Sequence, residues 1–279
     1  MAGNGSKTYF MTGAAGGIGR WVADRLVERG DRLFATDLNV DPLRDHANQN
    51  GWPDDNVMID TLDVRSAEAW DAAYANVTSA FGTVDVHMNF AGLMLPDFAE
   101  AVTDAELDLQ IDVNLKGLIL GTRTAAKHMI AAGTKGHIVN IASLAGVAPI
   151  PGLAVYSASK FGARGFSLVA ASDLRKHGID VTVICPDAID TGLLKQSKSK
   201  DAGAMVFSAN KLLTVDQIGE VIIQRALVSK PVEITYPPVR SILAKIGSLA
   251  PGLASFLTDG MMRKGLANQT KMGRKEESK

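Results

Sequence analysis

A single cysteine, Cys185, is all the thiol chemistry that this 279-residue chain carries, so no internal disulfide can form. A stapled secreted domain is thereby excluded, and with no secretory leader read at the start the expected setting is a reducing cytoplasm. Charge of one sign is equally scarce: 29 Lys and Arg face 30 Asp and Glu, for a net charge of -1. That balance creates no field to hold nucleic acid or an anionic membrane, and neither is expected as a partner. No apolar run approaches the roughly 18 residues of a membrane span. The five histidines (His46, His87, His128, His137, His177) show no ligand spacing, so no metal site is expected. His87 reads as a packed strand residue and Cys185 as a small buried hydrophobe.

What remains is an ordinary globular composition with a regular rhythm, short apolar stretches alternating with helix-period stretches. The rhythm predicts βαβ units and one doubly wound parallel sheet with helices on both faces, a Rossmann-like α/β fold. Strands are expected at Thr8–Thr12, Arg32–Thr36, Asn56–Leu62, Val84–Asn89, His137–Ala142 and Asp180–Cys185. Helices are expected at Arg20–Arg29, Ala67–Phe81, Ala105–Ile130 and Ser157–His177, with Ser66 as one N-cap and Thr103/Glu106 as a capping box. A further helix (Val215–Val228) and strand (Val232–Tyr236) follow. No repeat or linker divides the chain, so residues 1–257 read as one domain. Pro237–Leu257 forms an apolar extension that could enlarge a pocket, cover a subunit contact or touch a membrane. Only Arg240 and Lys245 could give it a basic face, which argues against the membrane. The charged stretch Arg263–Lys279, within a tail over residues 258–279, is expected to be irregular and flexible.

Thr12-Gly13-Ala14-Ala15-Gly16-Gly17-Ile18-Gly19 follows a strand and opens a helix. Glycines there allow a tight turn and a close backbone approach to a pyrophosphate, and the helix N-terminus supplies free N–H donors. Asp37 lies about 20 residues on, where an acid receives ribose hydroxyls and repels a 2′-phosphate. The glycine loop has no basic residue before Gly17, and Arg20 is placed on the outer helix face, so NAD(H) is favoured over NADP(H). Tyr156 and Lys160 stand four apart at the start of a helical stretch, one turn apart on one face. A nearby ammonium favours the phenolate and makes a tyrosine a usable general acid/base. Ser143 lies just beyond a strand end, where open α/β sheets place their sites.

With these residues in view, the chain resembles the short-chain dehydrogenase/reductase family from the glycine loop to about Tyr236. Thr12–Gly19 matches the family's TGxxxGxG loop, Asp63-Val64 the pair that contacts adenine, and Asn89-Phe90-Ala91-Gly92 imperfectly its NNAG motif. Asn114, Ser143, Tyr156 and Lys160 match its catalytic tetrad. The resemblance implies that Ser143 polarises the substrate oxygen, Tyr156 exchanges the proton, and Lys160 binds the nicotinamide ribose and lowers the tyrosine's pKa. Asn114 would hold a relay water. Gly13, Ala15, Gly16, Gly17, Ile18, Gly19, Asp37, Asp63, Val64, Asn89, Ala91 and Gly92 would contact the cofactor. So would Pro186, Ile189 and Thr191, the loop that embraces the carboxamide. The family also implies a substrate lid over residues 193–213 and a homodimer or homotetramer through Ala105–Ile130 and Ser157–His177.

Two departures stand out. Phe90 replaces an asparagine that braces the central strands, and a repacked strand end is expected. Asp187 replaces the glycine after Pro186; it points outward as a turn residue, alters the loop geometry near the nicotinamide, or contacts a polar substrate group. Leu93, Met94, Leu95 and Pro96 with Val147–Leu153 suggest an apolar pocket, hence a lipophilic, steroid-like or aryl secondary alcohol or ketone. Met94, Met205, Met261 and Met262 either border its mouth or fill gaps. The expected activity is NAD(H)-dependent alcohol–ketone interconversion; the alternative is a catalytically silent NAD(H)-sensing protein, against which the intact tetrad speaks.

Overall fold

The computed structural model describes residues 6–192, 194, 201–209, 211–249, 252 and 260–271. Seven parallel strands form one sheet in the order β3-β2-β1-β4-β5-β6-β7. They are β1 (Thr8–Thr12), β2 (Arg32–Asp37), β3 (Val57–Thr61), β4 (Val86–Asn89), β5 (His137–Ile141), β6 (Asp180–Pro186) and β7 (Glu233–Tyr236). All five residues of β1 are buried, as a central strand covered on both faces must be.

The strand alternation sorts side chains into two cores. Tyr9, Met11, Leu33 and Ala35 point to one face, where Val22 and Leu26 of helix α1 (Gly17–Glu28) meet Ile218 of α7 (Val215–Val221). Phe10 and Phe34 point to the other, against Trp70, Tyr74 and Val77 of α3 (Ala67–Phe81). That face is completed by α5 (Leu118–Ala131) and α6 (Ala154–Leu174), which contribute Ala125, Met129 and Ala170. The doubly wound reading therefore holds, with α2 (Asp41–Gln49) as an added short helix that buries only Leu43 and Ala47.

The expected caps are present. Ser66 Oγ accepts the Ala69 N–H at 3.1 Å, and Thr103 and Glu106 form a reciprocal box at the start of α4 (Asp104–Ile111). The long helix expected over Ala105–Ile130 is not uniform, however: α4 passes into α5 through a π-helical turn, Asp112–Gly117, which contains Asn114. A second π turn, Ile222–Ala226, links α7 to α8 (Leu227–Ser229). The apolar extension begins with a cis Tyr236–Pro237 bond and forms α9 (Pro238–Leu249).

The chain's end corrects the expectation of an irregular tail. Residues 260–271 form a helix, α10, packed on a buried 3-10 helix, Asp201–Ser208. Asn268 Nδ2 donates to the Phe207 carbonyl at 2.9 Å, and Gly265 sits so close to the Ala204 carbonyl that no side chain fits between them. Residues 258, 259 and 272–279 of the expected tail, 250, 251 and 253–257 of the apolar extension, and 193, 195–200 and 210 of the expected lid, lie outside the described residues.

Candidate active site

Strand order reverses between β1 and β4, and the loops after their carboxyl ends line a crevice, the place where open α/β sheets hold ligands. Thr12 stitches the loops together: its Oγ1 accepts the N–H of Phe90 at 3.1 Å and of Ala91 at 3.2 Å. Gly13 takes a φ of +66°, and a Cβ there would lie 2.6 Å from the Ala91 nitrogen. Only glycine allows that approach. Helix α1 then begins after Gly16 with no side-chain cap and no acid in its first turn, so its N–H groups are left for an anion. At the end of β2, Asp37 accepts the Ala15 N–H at 2.9 Å through Oδ2 and the Leu38 N–H at 2.8 Å through Oδ1.

A cleft of about 570 Å³ runs over these residues, with Gly13, Ala15, Gly16, Asp37, Asp63, Val64, Ala91 and Gly92 in its walls. It meets a second, apolar cavity of about 140 Å³ at Phe90, Gly92 and Leu93, so the two form one crevice. The second cavity holds Ile18, Ser143, Tyr156, Lys160, Pro186, Ile189 and Thr191. Glycine-lined backbone, a capless helix start and a carboxylate at the far end together fit an extended dinucleotide.

Three of the expected cofactor residues line neither part of the crevice. Gly19 packs the helix onto the loop, where a Cβ would come 2.2 Å from the Gly13 oxygen; Gly17 lies beside the Thr191 methyl and Val215. Asn89 is buried, and its side chain joins a network beneath the sheet: Nδ2 donates to Asn140 Oδ1 at 2.9 Å, while Oδ1 meets His87 Nε2 at 3.0 Å. Asp63 lines the cleft but is gripped by Arg65, which also holds its carboxyl below the ordinary range. Arg20 lines neither cavity, and Phe90, just past the end of β4, lines both.

At the inner end, Ser143 leaves β5 and caps a 3-10 turn, accepting the Ala145 N–H at 3.1 Å. Its hydroxyl lies 3.5 Å from the Pro186 carbonyl and is near enough to the Tyr156 phenol to pull its pKa down. Lys160, one turn along α6, is buried with Nζ 5.7 Å from the Tyr156 ring centre and donates to the Ile141 carbonyl at 3.1 Å. Asn114 in the π turn holds Leu93 from both sides, accepting its N–H and donating to its carbonyl, each at 2.8 Å. A Cβ on Gly92 would lie 3.2 Å from Asn114 Oδ1 and 3.5 Å from Lys160 Nζ. All four tetrad positions therefore converge.

Electrostatics differ from the simple expectation. Burial pushes the Tyr156 phenol up to about 12, against the pull of the Ser143 hydroxyl. The same desolvation holds Lys160 down to about 8. In the protein alone, burial is the largest influence on both groups. Cys185 and His87 are fully buried, as expected, and desolvation moves the thiol up to about 12 and the imidazole down to about 4.

The outward-pointing alternative for Asp187 is overturned. Its side chain is 12% exposed, lines the apolar cavity and pairs with Arg240 Nε of α9. Arg240 is thus a pocket residue that the sequence reading weighed only as a surface charge; the signal for it was the acid itself, which needs a partner when buried. Lys245 is likewise taken, donating to Glu233 at 2.8 Å, so α9 has no basic face. Of the expected pocket residues, Leu93, Met94, Ile150, Leu153 and Met205 line the cavity, while Met261 and Met262 fall on α10.

The doubly wound sheet and the crevice at its carboxyl end are those of an oxidoreductase family. The chain belongs to the short-chain dehydrogenase family, whose pattern matches residues 7–202. It is 34% identical over 197 residues to the oxidoreductase SadH of Mycobacterium tuberculosis, covering 70% of this chain and 71% of that one. An uncharacterized oxidoreductase of Staphylococcus aureus is 30% identical over 236 residues, 85% of this chain and 97% of the other. Among solved structures, levodione reductase superposes with a TM-score of 0.76 at 26% identity, covering 85% of this chain and 98% of that one. A short-chain dehydrogenase from Burkholderia phymatum in complex with NAD has a TM-score of 0.81 at 22% identity, over 89% and 95% of the two chains, and shares the fold. Among the described residues no helix is long and apolar enough to cross a membrane.

Proposed function

We propose that the protein interconverts a lipophilic, ring-bearing secondary alcohol and its ketone with NAD(H). The observation that carries this is the convergence of the Ser143 hydroxyl, the Tyr156 phenol and the Lys160 ammonium at the apolar end of a dinucleotide-shaped crevice. A bound nicotinamide supplies or accepts the hydride. Ser143 donates to the substrate oxygen and fixes it beside Tyr156. The phenol gives its proton to a ketone oxygen, or takes one from an alcohol. Lys160, anchored on the Ile141 carbonyl, reaches the ribose and stabilises the phenolate; the cofactor's own positive charge adds to that effect in the oxidising direction. Asn114 positions Leu93 and lies near enough to Lys160 for a bridging water to relay the proton.

Asp37 supports NAD(H), because a 2′-phosphate would meet a carboxylate already fixed by two backbone N–H groups. The apolar walls and the volume, close to that of a void that takes one benzene-sized ring, support a ring-bearing substrate. Leu107, Ile130, Phe161 and Val169 stand exposed on α4, α5 and α6, which supports a homodimer or homotetramer. The test is purified protein with NAD+ and a panel of alcohols, following NADH. Turnover of ring-bearing secondary alcohols is expected; turnover confined to small hydrophilic polyols would overturn the substrate class.

A further inference from the structure

Three charged side chains line the apolar cavity: Lys160, Asp187 and Arg240. Lys160 belongs to the chemistry. The other two form an ion pair that the proton transfer does not use. Asp187 follows Pro186, whose carbonyl lies 3.5 Å from the Ser143 hydroxyl, so the pair begins one residue after the carbonyl that Ser143 contacts. Arg240 reaches it from α9 with its side chain 34% exposed; the contact is an ion pair through Nε, which makes no hydrogen bond among the described residues.

Resting on the alcohol–ketone reading above, we propose that Asp187 and Arg240 anchor a second, uncharged oxygen function of the substrate, a hydroxyl foremost. Both halves of the pair suit that group. A hydroxyl donates to the Asp187 carboxylate and accepts from the terminal guanidinium nitrogens, satisfying donor and acceptor at once. A substrate carboxylate would face Asp187 and an ammonium would face Arg240, so the pair disfavours either charge. In an otherwise apolar wall, a polar pair left unmatched penalises a plain hydrocarbon ring more than it hinders an oxygenated one. Desolvation already moves the Asp187 carboxyl above its ordinary range, which a hydrogen-bonding ligand would relieve. The same contact makes α9 a wall of the pocket, a use for the apolar extension that its sequence left undecided.

The test compares cyclohexanol with the diol that carries a second hydroxyl on the opposite ring carbon. Equilibrium binding is measured calorimetrically with Tyr156→Phe protein in the presence of NAD+, so that no turnover intervenes. The diol is expected to bind at least about tenfold tighter, about 1.4 kcal/mol. Adding Arg240→Ala should bring the preference near unity, and adding Arg240→Lys should keep part of it. Equal binding of the two alcohols by Tyr156→Phe protein, or a preference that survives Arg240→Ala in a variant melting within a few degrees of its parent, would overturn the proposal. Intact binding preference in a wild-type protein that oxidises neither alcohol would instead overturn the hydride-transfer reading and leave the anchor standing.

Discussion

Tyr156 and Lys160 sit in a place that penalises the charged form of both. Burial takes the phenol to about 12 and the ammonium to about 8; near pH 7 the phenol is neutral whether folded or not, so it is the ammonium that is retained against stability. For Lys160 the sign is definite. Its folded pKa is below the unfolded value of 10.5, so the unfolded chain holds more protons between about 8 and 10.5, and stability rises with pH across that window. Lys160→Met is therefore expected to stabilise the fold at pH 7, by roughly 1–3 kcal/mol after the lost bond to Ile141 is offset. The gain should shrink to nothing by pH 10.5 while turnover disappears, as denaturant melts at several pH values and a rate assay would show. A destabilised Lys160→Met protein at pH 7 would contradict the account. Asp37→Ser is expected to raise the ratio of kcat/KM for NADP+ over NAD+ by roughly 10–100-fold, through relief of the carboxylate's repulsion of a 2′-phosphate. An unchanged ratio would remove Asp37 from the selection of cofactor.

The strands and flanking helices were legible because apolar periodicity reports them directly, and the glycine loop, tetrad and Asp37 lie at their ends. Other features carried no such signal. The apolar pattern over Ala105–Ile130 continues unbroken through the π turn, since one extra residue per turn changes the backbone around Asn114 without changing which residues are apolar. Helix α2 is polar but for Leu43 and Ala47, and α10 was hidden under a charged composition. The Asp187–Arg240 pair joins the end of β6 to α9, a contact visible only once the chain is folded. Helix α10 has a consequence for binding. Asn268 holds the Phe207 and Ala209 carbonyls, and the segment before them puts Met205 and Val206 into the cavity wall. Asn268→Ala should therefore raise the substrate KM roughly three- to tenfold, the worth of about one lost hydrogen bond, with kcat little changed. Loss of kcat without a change in KM would show that α10 acts elsewhere.

Across the whole molecule, two buried imidazoles tie stability to acid. His87 lies between the Tyr74 hydroxyl at 2.9 Å and Asn89 at 3.0 Å; His137 meets Thr182 Oγ1 at 2.9 Å. Desolvation lowers both to about 4. Each is neutral in the folded state while the unfolded chain takes up a proton below 6.5, so stability present above that pH is lost as pH falls toward 4. The loss should reach about 2 kcal/mol per imidazole by pH 5. Stability that stays flat from pH 7 to 5 in urea melts would contradict these environments. The central claim is hydride transfer assisted by Tyr156, and isotope transfer tests it most directly. A ring-bearing secondary alcohol deuterated at its carbinol carbon is incubated with NAD+ and the protein, and the reduced cofactor is isolated. Deuterium on the nicotinamide ring is the predicted result, with label acquired at least about a hundredfold more slowly by Tyr156→Phe protein that still binds NAD+. A reduced cofactor without label, or one labelled equally fast by the variant, would contradict the account.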